Sequence, residues 1–195
     1  MFSVFSQIFL YNTYMVKLNA KALRTSSVDA EEAKKIKKHP IYIILDNVWD
    51  TYNIGAIFRL ADAVAVEKVY LCGETETPPN SRIKKASVNT WQWVNWSYQK
   101  SAALAIKEIR EKVSTVKVVA VEQNGKSIPY DKADYNFPIA LVVGNETSGV
   151  SKEVLDICDT IVELPMFGVN VSLNVMVSLG IVLYEVIEKN IFLTE

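Results

Sequence analysis

Leu141-Val142-Val143-Gly144-Asn145-Glu146-Thr147-Ser148-Gly149 is the stretch that decides the fold: an apolar run that breaks into a loop bounded by two glycines. The arrangement recurs downstream, where Ile161-Val162-Glu163-Leu164 runs into Pro165-Met166-Phe167-Gly168 and then Ser172-Leu173-Asn174. Strands that are apolar throughout are covered on both faces, as in the parallel sheets of α/β proteins. Such sheets bind ligands in the crevice outside the carboxyl ends of their strands. Both loops stand at that edge.

Working outward, Ile41-Tyr42-Ile43-Ile44-Leu45 reads as another doubly covered strand, with a loop from Asp46 to Tyr52. Ile54, Ile57, Phe58, Ala61 and Val64 recur at helical spacing and predict a helix over Ile54 to Ala65. Val69 to Cys72 is a strand ended by Gly73, and Thr75 to Asn80, with Pro78 and Pro79, is a loop. Ser101 to Lys112 predicts a helix with Leu104, Ile106 and Ile109 inward. Strands follow at Val116 to Val121 and Ile139 to Val143, then a short helix from Lys152 to Cys158 and a closing helix from Ser172 to Ile187. Upstream, residues 17–39 read as a charged helical lead-in. Ser27 is its N-cap, Asp29, Glu31 and Glu32 occupy its first turn, and Pro40 stops it. Strands alternating with helices predict an α/β parallel-sheet fold. The expected division is an N-terminal helical extension over 1–40 and one domain over 41–195.

The composition fits one domain with a sizeable core: 195 residues, 50% hydrophobic, formal net charge −1. Overall charge therefore excludes a purely electrostatic nucleic-acid binder. Two local basic patches exist, Lys34, Lys35, Lys37 and Lys38, and then Arg82, Lys84 and Lys85; alone, such patches are ordinary solvated faces. Cys72 and Cys158 have no metal or redox spacing, and His39 is the one histidine, so no metal is expected. Both cysteines end apolar runs and read as buried core thiols, which fits a reducing, cytoplasmic compartment. Residues 1–16 are fairly apolar, but no Lys or Arg precedes Lys17 and polar residues interrupt them. They lack the pattern of an export signal and are too short and polar for a membrane span. Trp91, Trp93 and Trp96 read as core or subunit-contact packing ahead of base stacking.

Gly144 and Gly149 have the glycine separation of a phosphate-binding P-loop, but Val150-Ser151 stands where Lys-Ser/Thr is required. Without that lysine nothing holds terminal phosphates, so a nucleotide triphosphatase is excluded. No G-x-G-x-x-G follows any strand, which weakens a dinucleotide site. What remains is two backbone-rich loops able to recognise an adenine and a carboxylate, or loops that merely shape tight turns. Glu146, a carboxylate inside a Gly-flanked loop, calls for a cation or hydroxyl partner, and Arg59 falls on the helix after the first sheet loop.

Asn53-Ile54-Gly55-Ala56-Ile57-Phe58-Arg59, the Gly144-Asn145-Glu146 turn, and Pro165-Met166-Phe167-Gly168 followed by Ser172-Leu173-Asn174-Val175 resemble the three ordered motifs of the SpoU/TrmH branch of the SPOUT RNA methyltransferases. The resemblance spans about residues 41–188, and Pro78-Pro79 followed by Arg82, Lys84 and Lys85 looks like that family's variable loop. It implies a C-terminal trefoil knot, which periodicity would not predict because knots are nearly absent among folds. It also implies S-adenosylmethionine as cofactor, tRNA or rRNA as substrate, a ribose 2′-hydroxyl as acceptor, and a homodimer whose subunits complete each other's sites. Carried over by position, Gly144, Leu164, Met166 and Leu173 cradle the cofactor, and Val121 and Glu122 line its adenine side. Arg59, Glu146, Ser172 and Asn174 surround the acceptor ribose, and Asn53 is a structural or catalytic asparagine. Arg59 leads these as the group that holds a substrate phosphate and stabilises a developing alkoxide.

The chain departs from the family pattern at Met176-Val177-Ser178, where Ser-x-Ala is common, and at Asn89, where relatives carry glycine. With no separate RNA-binding domain expected ahead of the sheet, substrate choice falls to residues 1–40 and the surface. The competing reading is an RNA-binding knot protein whose catalysis is weak or lost.

Overall fold

Among the described residues the chain forms seven strands, five of them on the expected apolar runs: β1 (His39–Asp46), β2 (Val66–Cys72), β3 (Trp96–Gln99), β4 (Lys117–Val121), β5 (Ile128–Pro129), β6 (Ile139–Gly144) and β7 (Thr160–Glu163). All pair in parallel in the order β3-β2-β1-β6-β4-β7-β5. The structure is a computed structural model that describes residues 20–25, 33 and 35–192. It divides into two compact units, Met1–Ile36 and Lys37–Glu195. In the first, the described helix is α1 (Ala20–Thr25). The expected cap Ser27 and first-turn acids Asp29, Glu31 and Glu32 lie outside the described residues, as does Lys34.

In the second unit the sheet carries helices on both faces. One face packs α2 (Thr51–Ala63) and α6 (Val175–Ile187), through Ile54, Ile57, Phe58 and Ala61 of the first and Leu179, Val182, Leu183 and Val186 of the second. The other face packs α4 (Ala102–Lys112) and α5 (Lys152–Ile157). Central strand β6 is buried at every residue, the environment its unbroken apolar sequence demands. Between β2 and β3 lies α3 (Ser81–Ser87), capped by the Asn80 side chain, which accepts from the N–H groups of Arg82 and Ile83. Gly55 lets α3 approach α2: a Cβ there would lie 2.5 Å from Ala86 Cβ and 2.9 Å from Ile83 O. This motif glycine therefore serves helix packing.

Register places the site. Asp46 at the end of β1 stands beside Gly144 at the end of β6, Val143 beside Val121 of β4, and Val121 beside Val162 of β7. From β1 the strand order runs outward through β2 and β3; from β6 it runs the other way through β4 and β7. The loops after β1, β4, β6 and β7 therefore emerge side by side at one edge, where the order reverses.

Several expectations need correction. Leu104 is 45% exposed and does not face the core; the buried stripe of α4 is Ala102, Ala105, Ile106 and Ile109, one residue out of phase with it. Pro40 is the second residue of β1 and not merely a helix stop. The closing helix starts at Val175, because the Asn174 side chain caps it by accepting from Met176 N (3.0 Å) and Val177 N (3.3 Å). Ser172 and Leu173 are thus loop residues. Cys72 is buried, and burial first, then Asp46, pushes its thiol up to about 12, but Cys158 is only half-buried. The tryptophans pack on the core: Trp93 Nε1 donates to Asp62 Oδ1 (2.6 Å), and Trp96 meets Phe58 edge-on. Asn89 has φ +68°, a left-handed conformation that asparagine tolerates better than other non-glycine residues, which explains a departure from glycine at that point.

Candidate active site

A carboxylate can only accept hydrogen bonds, and that one fact orders the polar side chains at the sheet edge. Glu146 Oε1 accepts from Asn53 Nδ2 (2.9 Å) and from Asp50 N (3.1 Å), while Oε2 accepts from Trp49 N (3.1 Å). With its Nδ2 committed to Glu146, the buried Asn53 amide turns its oxygen to Asn174, whose Nδ2 donates to it at 3.0 Å. Asn174 in turn turns its own oxygen to the first turn of α6. One carboxylate thereby fixes two amide orientations and ties the loop after β6 to the starts of α2 and α6. It also leaves Asn174 a spare N–H donor on the cavity wall.

Burial raises the Glu146 carboxyl, but the hydrogen bonds from Asn53 and from backbone N–H groups, Trp49 and Asp50 among them, outweigh it and hold the group below its usual range. A lowered folded value means that the unfolded chain binds the proton more readily. The network's contribution to stability is therefore full above the ordinary glutamate pKa and is lost as pH falls through the folded value. Glu146→Gln, which cannot accept at both positions, is expected to cost about 1 kcal/mol near neutral pH. Thermal melts from pH 7 to pH 3 should show the gap between wild type and variant closing toward acid; a pH-independent gap would contradict this.

The glycine loop after β6 closes on itself. Asn145 and Gly149 exchange backbone hydrogen bonds (3.0 and 2.9 Å), and Asn145 Oδ1 accepts from Thr147 N and Ser148 N. Three side chains besides Glu146 anchor it: Asn145 Nδ2 donates to Asn47 O (2.8 Å), Glu122 Oε2 accepts from Val150 N (2.7 Å), and Asp46 Oδ2 accepts from Ser151 N (2.8 Å). Sequence reasoning missed Asp46 and Asn145 as loop anchors. The available signal was an aspartate directly after a run of five apolar residues, too polar for a buried strand end unless it holds something.

Between this loop and the 163–174 segment lies a cavity of about 510 Å³, within the range of small-molecule sites. Its wall includes Val121, Glu122, Gly144, Leu164, Met166 and Leu173, all six positions expected to hold a cofactor, together with Glu146, Ser172 and Asn174. Asn53 stands behind that wall, joined to it by two hydrogen bonds. Arg59 is not brought to the cavity of its own chain; it is exposed on α2. Six residues beyond Asn53, it is about 9 Å further along the helix and about 120° around it. Among the described residues no three or more His, Cys, Asp or Glu side chains are grouped to hold a metal ion, and no helix is long and apolar enough to cross a membrane.

An open parallel sheet with a loop-walled cavity at its switch point defines an α/β domain built to hold an organic ligand at its carboxyl edge. The chain belongs to the SpoU rRNA methylase family, whose profile matches residues 40–184. It is 33% identical over 158 residues to a tRNA (guanosine(18)-2′-O)-methyltransferase of Aquifex aeolicus, an alignment covering 79% of this chain and 72% of that one. It is 30% identical over 154 residues to the 23S rRNA (guanosine-2′-O-)-methyltransferase RlmB of Ralstonia nicotianae, covering 79% and 61%. Among solved structures, an AdoMet-bound rRNA methyltransferase from Sinorhizobium meliloti superposes with a TM-score of 0.70 at 28% identity, over 80% of this chain and 60% of that one. The chain thus spans about three fifths to three quarters of the length of these relatives.

Proposed function

We propose that the chain transfers the methyl group of S-adenosylmethionine to a ribose 2′-hydroxyl of tRNA or rRNA, acting as a cytoplasmic homodimer. The observation that carries this reading is the Glu146–Asn53–Asn174 network on the wall of a cavity whose floor is glycine backbone. The cavity suits the cofactor chemically: Val121 and Leu164 offer apolar surface to an adenine, and Glu122 and Glu163 offer negative charge to a cationic sulfonium and ammonium. A Cβ on Gly144 would lie 2.1 Å from Gly149 C, so only glycine leaves this cradle its shape. When bound, S-adenosylmethionine supplies a methyl group already activated by its positive sulfur.

The residues of this chain then have two tasks, aligning a poor oxygen nucleophile and stabilising its developing charge. Alignment alone is worth about 7–11 kcal/mol of barrier in well-oriented systems. Asn174 and Ser172, on the cavity wall, orient the hydroxyl, and Glu146 fixes Asn174 through Asn53. Arg59 remains protonated at neutral pH and serves as phosphate holder and alkoxide stabiliser rather than as base. Because it does not line its own chain's cavity, it acts in the site of a second copy. The exposed apolar tract supports that assembly: Phe167 is 94% exposed and Val169 fully so, followed by Val171, Leu173, Val177, Ile181 and Tyr184 on the same C-terminal segment. On this reading the 164–187 segment is the threaded part of a trefoil knot, and the segment ahead of β1 contributes to substrate choice.

Incubating the purified protein with total RNA and methyl-labelled S-adenosylmethionine tests the reading. A 2′-O-methyl group blocks alkaline cleavage of the adjoining phosphodiester, so label should be recovered in alkali-resistant dinucleotides. Label in mononucleotides would mean base methylation. Cofactor binding without any label would favour a knot protein that binds RNA but has lost catalysis.

A further inference from the structure

A second groove, about 340 Å³, opens beside the network and shares no lining residue with the 510 Å³ cavity. Its walls include Trp49, Asp50 and Tyr52 at the start of α2, Glu76, and Arg82 on α3. Two large aromatics stand in the open here: Trp49 is 54% exposed and Tyr52 53%. Neither behaves as a residue waiting for a core. The Trp49 indole is anchored by its Nε1–H donating to Glu74 Oε2 (3.0 Å), and its backbone N–H donates to Glu146. Tyr52 N donates to Asp50 Oδ1 (2.8 Å), which fixes the first turn. An indole anchored at its Nε1–H beside a second exposed ring offers a stacking surface, and base–aromatic stacking is sequence-tolerant because every base has a π-face.

The charges lining the groove narrow the occupant. Asp50 and Glu76 outnumber Arg82, so the groove is poorly suited to a phosphate. Carboxylates do suit the amino and imino donors on a nucleobase edge, while Arg82 with Lys84 and Lys85 on the exposed side of α3 can follow the backbone outside. Trp49 and Asp50 of the groove donate their backbone N–H groups to Glu146 on the cavity wall, which puts the groove next to the donor cavity, within reach of a strand presenting its ribose there. We propose that the Trp49–Tyr52 groove seats an unpaired nucleobase of the RNA strand whose ribose is methylated. The proposal rests on the methyltransferase reading and adds to it a base-recognising subsite.

The test measures binding of bulk tRNA to the full chain saturated with S-adenosylhomocysteine, for wild type, Trp49→Ala, Tyr52→Ala and Trp49→Phe, across a salt series. Each alanine variant should bind RNA about tenfold or more weakly, with unchanged S-adenosylhomocysteine affinity, and Trp49→Phe should stay within about threefold of wild type because a flat ring is retained. The salt slope should be the same in all four, whereas a lost phosphate contact would lower it by about one. Alanine variants that bind RNA as wild type does, a reduced slope, or a changed oligomeric state (a subunit contact) would each overturn the subsite. A wild type that neither binds nor methylates RNA would instead overturn the underlying reading and the subsite with it.

Discussion

Arg59→Ala is expected to leave S-adenosylmethionine binding unchanged and to lower methyl transfer by about 10²–10³-fold, the cost of removing one donor from a developing oxyanion. The two halves of this expectation have separate causes. Cofactor affinity is preserved because Arg59 contributes nothing to the cavity wall of its own chain and, in the second copy's site, is assigned to the substrate phosphate and hydroxyl and not to the cofactor; it lies on the outer face of α2, in line with Tyr52 two helical turns earlier. Transfer is lost because, among the described residues, the cavity wall holds no guanidinium or ammonium: its polar side chains are carboxylates, amides and hydroxyls. A 2′-hydroxyl losing its proton beside Glu122, Glu146 and Glu163 meets carboxylate charge, and a cation from outside the chain's own cavity is needed to offset it. Arg59→Lys should recover only a small part of the activity, since an ammonium lacks the planar fork that holds a phosphate in a fixed orientation. Isothermal titration with the cofactor and single-turnover transfer to RNA separate the two quantities. Full transfer by Arg59→Ala would remove the residue from the mechanism.

The sheet was legible because burial on both faces leaves an unbroken apolar signature, as in β1 and β6. The elements that escaped sequence reading lack that signature for physical reasons. Helix α3 spans seven residues and buries only Ile83 and Ser87, too short for helical periodicity to register. Strand β3, Trp-Ser-Tyr-Gln, sits at the sheet edge with no buried residue, and β5 is two residues of the opposite edge. Of the site, the glycine and proline loops could be read because backbone geometry restricts which residues serve there. The network could not: Asn53 lies 93 residues from Glu146 and 121 from Asn174 along the chain, and only the register of β1 against β6 brings them together. The helix start was misplaced because serine and asparagine are equally good caps in sequence. Only the structure shows that the oxygen of Asn174 takes the free N–H groups.

Gly144→Ala is expected to weaken S-adenosylmethionine binding by at least about a hundredfold, comparable to the loss of a buried polar network. The added Cβ would lie 2.1 Å from Gly149 C, 2.2 Å from Val150 N and 2.3 Å from Gly149 O. All three are backbone atoms, so no side chain can rotate away. The loop itself cannot retreat without breaking the Asn145–Gly149 bridge or the anchors from Glu122 and Asp46. Circular dichroism would show whether the sheet survives, since β6 is central. If it does, Gly144→Ala and Arg59→Ala together test the shared site. Assayed at cofactor concentrations that occupy the wild type but not Gly144→Ala, each variant alone is nearly inactive, one for want of bound cofactor and the other for want of the guanidinium. If subunits complete each other, a mixed dimer regains one intact site from the Arg59→Ala cavity and the Gly144→Ala arginine. Random exchange makes about half the dimers mixed, so activity should return to about a quarter of wild type. If Arg59 served its own chain's cavity, both sites of the mixed dimer would stay dead and mixing would restore nothing.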